Sequence, residues 1–209
     1  MENLKLIFTV ASLYCVFGLS QDCGYQNTQP AYMLLYHNVI FEGTINSIKK
    51  NIVKVGVQES YNKNCNGTIR LKVHSSESQK SCDIDYELKE GNSYIFIPFY
   101  WSPFVRKIKK VEVFPIVNDN VFINKYYFRN MGFDRENDWS ISTMKKCKEE
   151  GLFMTLKNFK TFVNKVINCF EIVDRKRLLF QKTEPLTKLS KIESFLLFDL
   201  NRLVEVQNR

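Results

Sequence analysis

The chain has two imidazoles, His37 and His74. Imidazole is the usual base for activating a serine or cysteine nucleophile and a common zinc ligand, so these two positions bound most of the catalysis open to this sequence. Neither has a sequence-local carboxylate or thiol that marks it out. His37 sits in Tyr36-His37-Asn38, and His74 ends an alternating run. Asp83 and Asp85 would share a face of a strand as paired carboxylates, but the same spacing describes an ordinary wet face. The sequence holds no G-x-S-x-G, H-E-x-x-H, Walker A or G-x-G-x-x-G pattern. These features argue against an enzyme, and they imply no cofactor.

Cysteine is the other reactive type. Six are present. Cys15 falls in the leader described below, which leaves Cys23, Cys65, Cys82, Cys147 and Cys169, an odd number. An oxidising compartment would give two bridges and one leftover thiol, and sequence alone does not fix the connectivity. Zinc is disfavoured, because there is no C-x2-C pair and the histidines lie far from a ligand spacing.

The compartment follows from residues 1–20. Lys5 precedes an apolar run from Leu6 to Leu19, and Gly18 and Ser20 fill the small-residue positions before a cleavage after Ser20. This is a secretory signal pattern, too short for a comfortable membrane span. No later stretch approaches 18 apolar residues, so the mature chain is expected to be extracellular and soluble. Glu2 and Lys5 cancel, so the formal charge of +8 belongs wholly to the mature chain. Asn66-Gly67-Thr68 is the sole N-x-[ST] sequon, expected on an exposed turn open to glycosylation.

The elements that must position these residues read as short strands. Val39–Ile48, Ile52–Gln58, Thr68–Val73 and Cys82–Ile97 are rich in Val, Ile, Tyr, Phe and Thr, and polar runs with Asn, Gly and Ser separate them. That pattern predicts antiparallel strands with one buried face each. Val53, Val55 and Val57 point one way, as do Ile69, Leu71 and Val73. Further on, Val111–Phe114 and Val121–Ile123 flank a turn at Asn118-Asp119-Asn120, and Pro115 makes the first an edge strand or ends it. Asp138 is placed to cap a helix from Trp139, with Ile141 and Met144 on its apolar side. Leu152, Leu156, Phe159, Val163, Val166 and Phe170 form a helical stripe. A second helix, predicted from Thr183-Glu184-Pro185, carries Leu189, Ile192, Leu196, Leu200 and Leu203. The expected class is mainly β with C-terminal helices, α+β. Residues 1–20 are the signal peptide, 21–150 a small barrel and 151–209 a helical extension.

Two stretches resemble netrin-like modules, the group that includes the inhibitory domain of tissue inhibitors of metalloproteinases. One is Phe41-Glu42-Gly43-Thr44-Ile45, which resembles the first strand. The other is Cys82-x5-Leu88-x2-Gly91-x2-Tyr94-x-Phe96, which is similar to the family's cysteine, leucine, glycine turn and tyrosine strand. The likeness covers about half the chain, Cys23 to about Lys148. It implies a five-stranded OB-like Greek-key barrel and a bridge from Cys23 to Cys82. Cys147–Cys169 is then the simplest second bridge, with Cys65 free. In the inhibitors an N-terminal C-x-C chelates the target's zinc. Here Gln21-Asp22-Cys23-Gly24-Tyr25 puts two residues ahead of the cysteine, so zinc-directed inhibition is not expected.

Two functions are therefore in view. One is a secreted binding module whose partner is an extracellular protein, such as a proteinase. The other follows from charge: the pI is about 9.1, with basic clusters at Arg106, Lys107, Lys109 and Lys110, at Lys145 and Lys146, and at Arg175, Lys176 and Arg177. Such a surface attracts sulfated glycans. Nucleic acid is excluded by the outward address, and no metal is expected.

Overall fold

The computed structural model describes residues 30–36, 39–50, 52–62, 65–72, 88–98, 111–128, 131–132, 135–174, 179–186 and 188–207. Period-two alternation puts the first three strands close to where expected, whereas of the stretch expected over Cys82–Ile97 the described part is strand only from Ser93, residues 88–92 forming the turn ahead of it. β1 (Phe41–Lys49) and β2 (Ile52–Ser60) form a hairpin, and β3 (Thr68–Lys72) adds to β2. Val53, Val55, Ile69 and Leu71 are buried, while Ile52, Gln58 and Arg70 face solvent. β4 (Ser93–Pro98) pairs with the first half of β1 and with β5 (Val111–Val117). Gly91, at φ +83, makes the turn into β4, a conformation glycine adopts without steric cost.

The sheet does not stop at five strands. β6 (Asn120–Ile123) and β7 (Leu152–Thr155) extend it to seven, in the order β3-β2-β1-β4-β5-β6-β7, all pairings antiparallel. The β5–β6 link is the expected hairpin: Asn118 and Asp119 both have positive φ and bridge Val117 and Asn120. Such two-residue turns match the twist of the flanking strands. Residue 150, the expected boundary, is followed almost at once by β7, so the segment 151–209 contributes a strand to the same sheet.

The helices are α1 (Pro30–Tyr36), α2 (Asp138–Glu150), α3 (Leu156–Cys169) and α4 (Lys191–Gln207), with a 3-10 turn at Lys125–Phe128 and a hairpin of β8 (Phe170–Asp174) with β9 (Leu179–Lys182). Three starts differ from expectation, each for a local reason. Asn137, not Asp138, caps α2: its Oδ1 accepts from the amides of Trp139 and Ser140. The stripe expected to begin at Leu152 begins at Leu156. Residues 152–155 alternate and pair with β6, and Thr155 Oγ1 accepts from the Asn158 amide to start α3. Thr183-Glu184-Pro185 starts nothing helical. α4 opens at Ser190, whose Oγ accepts from the Glu193 amide while Glu193 Oε2 accepts from the Ser190 amide, a reciprocal cap.

Two apolar clusters lie on opposite faces of the sheet. Tyr94 and Phe96 of β4 join Phe41, Ile45, Val53, Val55, Ile69, Leu71 and Val113. Ile95 and Ile97 point the other way, to Phe114, Val121, Ile123 and the helices. The α3 stripe works as predicted, with Phe159, Val163 and Val166 fully buried. α1 packs on α3, α4 and β8.

Candidate functional site

Two bulges interrupt the β1–β2 ladder: Gln58 of β2 is extra between the Glu42–Glu59 and Gly43–Val57 pairs, and Asn46 of β1 between Ile45–Val55 and Ser47–Lys54. A Cβ on Gly43 would fall 2.5 Å from Val55 Cγ1 and 2.8 Å from the Gly56 carbonyl oxygen, so only glycine fits this crossing. The bulge leaves Glu42 directly opposite Glu59. Two like charges across a strand pair repel, and α3 supplies the remedy. Lys160 Nζ lies 3.1 Å from Glu42 Oε2 and 2.6 Å from Glu59 Oε2. The Tyr61 hydroxyl donates to Glu42 Oε2 at 3.2 Å.

The electrostatics fix the protons of this cluster. Burial raises the Tyr61 phenol far above its ordinary value, and the negative Glu42 and Glu59 raise it further. Burial alone would lower the Lys160 ammonium, but its hydrogen bonds to Glu59 and Glu42 outweigh that and raise it. A general base at neutral pH needs a pKa near 7; both shifts run away from it. What the cluster does is pin α3 to the first hairpin.

Beside it lies a groove of about 560 Å³ at the start of α3, lined by the β5–β6 turn, Asn120, Thr155, Lys157, Lys160 and Asn164 among others. Side-chain amides and hydroxyls stand in its walls, but most of the exposed lining is apolar, Leu156 included. A second groove of about 350 Å³ lies between the starts of α2 and α4, against Trp139, Phe195 and Phe198. Trp139 and Phe195 meet edge to face with centroids 6.2 Å apart.

The residues singled out from sequence distribute as follows. Lys145 and Lys146 are exposed on α2. Asn66 is exposed on the turn into β3, next to Gly67 at φ +76 with open space around it. Cys65 is a free, buried thiol, pushed up to about 11 by burial. Cys147 and Cys169 are also free thiols, so the bridge expected between them is not formed in this structure. Each is enclosed among apolar side chains: Cys147 lies on α2, Cys169 ends α3, and both belong to the helical core. Burial pushes Cys147 to about 11 despite nearby Lys146, and burial and the Glu184 charge raise Cys169. Cys23, Cys82, His37, His74, Asp83, Asp85, Arg106, Lys107, Lys109, Lys110, Arg175, Lys176 and Arg177 lie outside the described residues.

Among the described residues no three His, Cys, Asp or Glu side chains are grouped to hold a metal. No helix among them is long and apolar enough to cross a membrane. Compared with family models, with curated proteins and with solved structures, the chain matches none.

Proposed function

We propose that this protein is a secreted binding module of netrin-like type, whose scaffold is the unit β1–β5. One observation carries the reading: all five strands send alternate side chains into a single cluster. Phe41 and Ile45 come from β1, Val53 and Val55 from β2, Ile69 and Leu71 from β3, Tyr94 and Phe96 from β4, and Val113 from β5. Among the described residues this cluster is built from the five strands and the flanking Val39, Cys65 and Leu88, with no helix contributing to it, as when a sheet curls over its own face. In the order β3-β2-β1-β4-β5 the terminal strands are β3 and β5, so a β3–β5 contact would close a five-stranded Greek key. In the Glu42–Glu59–Lys160–Tyr61 cluster on this unit, both Tyr61 and Lys160 are raised away from neutrality, which favours binding over catalysis.

Residues 1–20 supply the extracellular half of the reading. Expressed in animal cells with those residues intact, the protein should be recovered from the medium beginning at Gln21. It should also carry a glycosidase-sensitive mass on Asn66. Retention in the cell with Met1 in place would remove the extracellular reading.

Sulfated-glycan binding is the second reading, favoured by Lys145, Lys146 and Lys148 standing exposed on α2. Elution from heparin above physiological salt, shifted downward by changing Lys145 and Lys146 to Ala, would support it. Elution with the void volume at physiological salt would end it.

A further inference from the structure

We infer that the groove between the starts of α2 and α4 binds a small organic anion with an aromatic body, an aryl-substituted carboxylate. None of the described residues that line it comes from β1–β5, so the site is separate from the proposed binding scaffold. Its walls are the first turns of two helices. Trp139 and Ser140 follow Asp138 at the start of α2, and Lys191 and Ser194 belong to the opening turn of α4. The positive ends of two helix dipoles therefore meet at one space of about 350 Å³, an arrangement that favours negative charge.

A buried donor marks where the ligand bonds. Ser140 is 5% exposed and its amide donates to the Asn137 cap, yet among the described residues its hydroxyl has no hydrogen-bond partner. A hydroxyl so enclosed and unpartnered is uncommon, and Ser140 lines this groove. The other polar side chains of the lining can donate too. Asn137 spends its Oδ1 on the α2 cap, which leaves its Nδ2. Lys191 and Ser194 are exposed, and among the described residues neither side chain is bonded. Trp139 adds an indole N–H. No Asp or Glu is among the described residues that line the groove. Asp138 and Glu193 belong to the same first turns, but neither lines it, and Glu193 is already held by Lys165 and Ser190. Donors with one ammonium and no carboxylate complement an anion.

The body of the ligand follows from the apolar residues. More of the exposed lining is apolar than polar, and Trp139, Leu189, Phe195 and Phe198 belong to it. Phe195 is 3% exposed and is held from two sides. Trp139 meets it edge to face with centroids 6.2 Å apart, and Phe128 stacks on it at 6.5 Å. An aromatic ring packs well against such a wall. A space of this size suits one ring with a short acid chain, not a polymer.

The test is an NMR titration of the full protein with phenylacetate, with its neutral counterpart phenylacetamide and with inorganic phosphate. Phenylacetate should shift the Trp139 indole signal and the Ser140 and Lys191 amides. Phenylacetamide should bind about tenfold more weakly, for want of a charge-assisted bond. Ser140→Ala should weaken phenylacetate binding about fivefold without lowering Tm, because the hydroxyl makes no bond within the described protein. Lys191→Gln should weaken it about tenfold, and Lys145→Ala, elsewhere on α2, should leave it unchanged. No shift at millimolar phenylacetate, equal binding of acid and amide, or undiminished binding by Ser140→Ala overturns the site. Shifts with phosphate but not with phenylacetate overturn the aromatic ligand. So does a dimer, seen by sedimentation, whose formation moves the same signals without any ligand; the groove would then belong to a second copy of the chain.

Discussion

Replacing Lys160 by Met keeps much of the side chain's apolar stem and removes its charge. It leaves Glu42 and Glu59 opposite each other on β1 and β2 with no cation between them. The size of the loss follows from exposure. The Glu42 side chain is 13% exposed and that of Glu59 51%. Breaking a buried pair costs about 3–5 kcal/mol, and breaking an exposed one less than about 1 kcal/mol. The Glu42 arm lies nearer the first limit and the Glu59 arm nearer the second, so about 2 kcal/mol is expected. For a chain of this size that lowers Tm by roughly 4–8 °C. Thermal unfolding followed by circular dichroism reads it directly. Adding Glu59→Gln to the Lys160→Met protein should recover about half of the loss, because it removes the repulsion. A Lys160→Met protein within about 0.5 kcal/mol of wild type, or one that Glu59→Gln destabilises further, would refute the role given to the cluster.

Four other outcomes are expected. Glu193 is held below its ordinary value: burial would raise it, but Lys165 and Ser190 more than compensate. A depressed carboxyl contributes stability above its unfolded pKa of about 4.3 and loses it as pH falls through the folded value. Glu193→Gln should therefore cost about 2 kcal/mol at pH 7, with the gap to wild type closing in the acid limb of a pH–stability curve below about pH 4. Gly43→Ala meets Val55 Cγ1 and the Gly56 backbone and should lower the urea midpoint by the equivalent of about 2–3 kcal/mol. Gly67→Ala, with nothing within 4 Å, should cost only the about 1 kcal/mol of a left-handed residue. Cys65 and Cys147, both buried and both raised to about 11, should resist iodoacetamide in the folded protein and label at once in denaturant.

The strands were legible because their physics is local. Val53, Val55, Ile69 and Leu71 alternate with polar residues, and the chain obeys that period. The Asn118-Asp119 turn was legible for the same reason: its residue types suit the positive φ that the hairpin demands. Helix starts were less so, since Asn137 and Asp138 are both good caps and sequence cannot say which one turns out of the helix. Leu152 fits a helical stripe by spacing, yet β6 offers it a strand partner from far along the chain, and that tertiary partner decides. The candidate site left less trace. Lys160 stands on the polar face of an amphipathic helix like any solvated lysine, 101 positions from Glu59. Phe153 of β7 stands 61% exposed, against the ordinary expectation that phenylalanine is core, while Phe122 opposite it on β6 is half-buried. The burial of Cys147 and Cys169 among apolar side chains was equally invisible, because a count of cysteines says nothing about where each thiol lies.

Closure of the β1–β5 unit is the point on which the binding-module reading rests most heavily. Backbone NMR of the full protein decides it through contacts between amide and Hα protons of β3 and β5. A closed barrel gives cross-strand contacts between the Thr68–Lys72 and Val111–Val117 segments, with slowed amide exchange on both. The absence of those contacts, with β3 amides exchanging as fast as a free edge, would leave an open seven-stranded sheet and contradict the barrel.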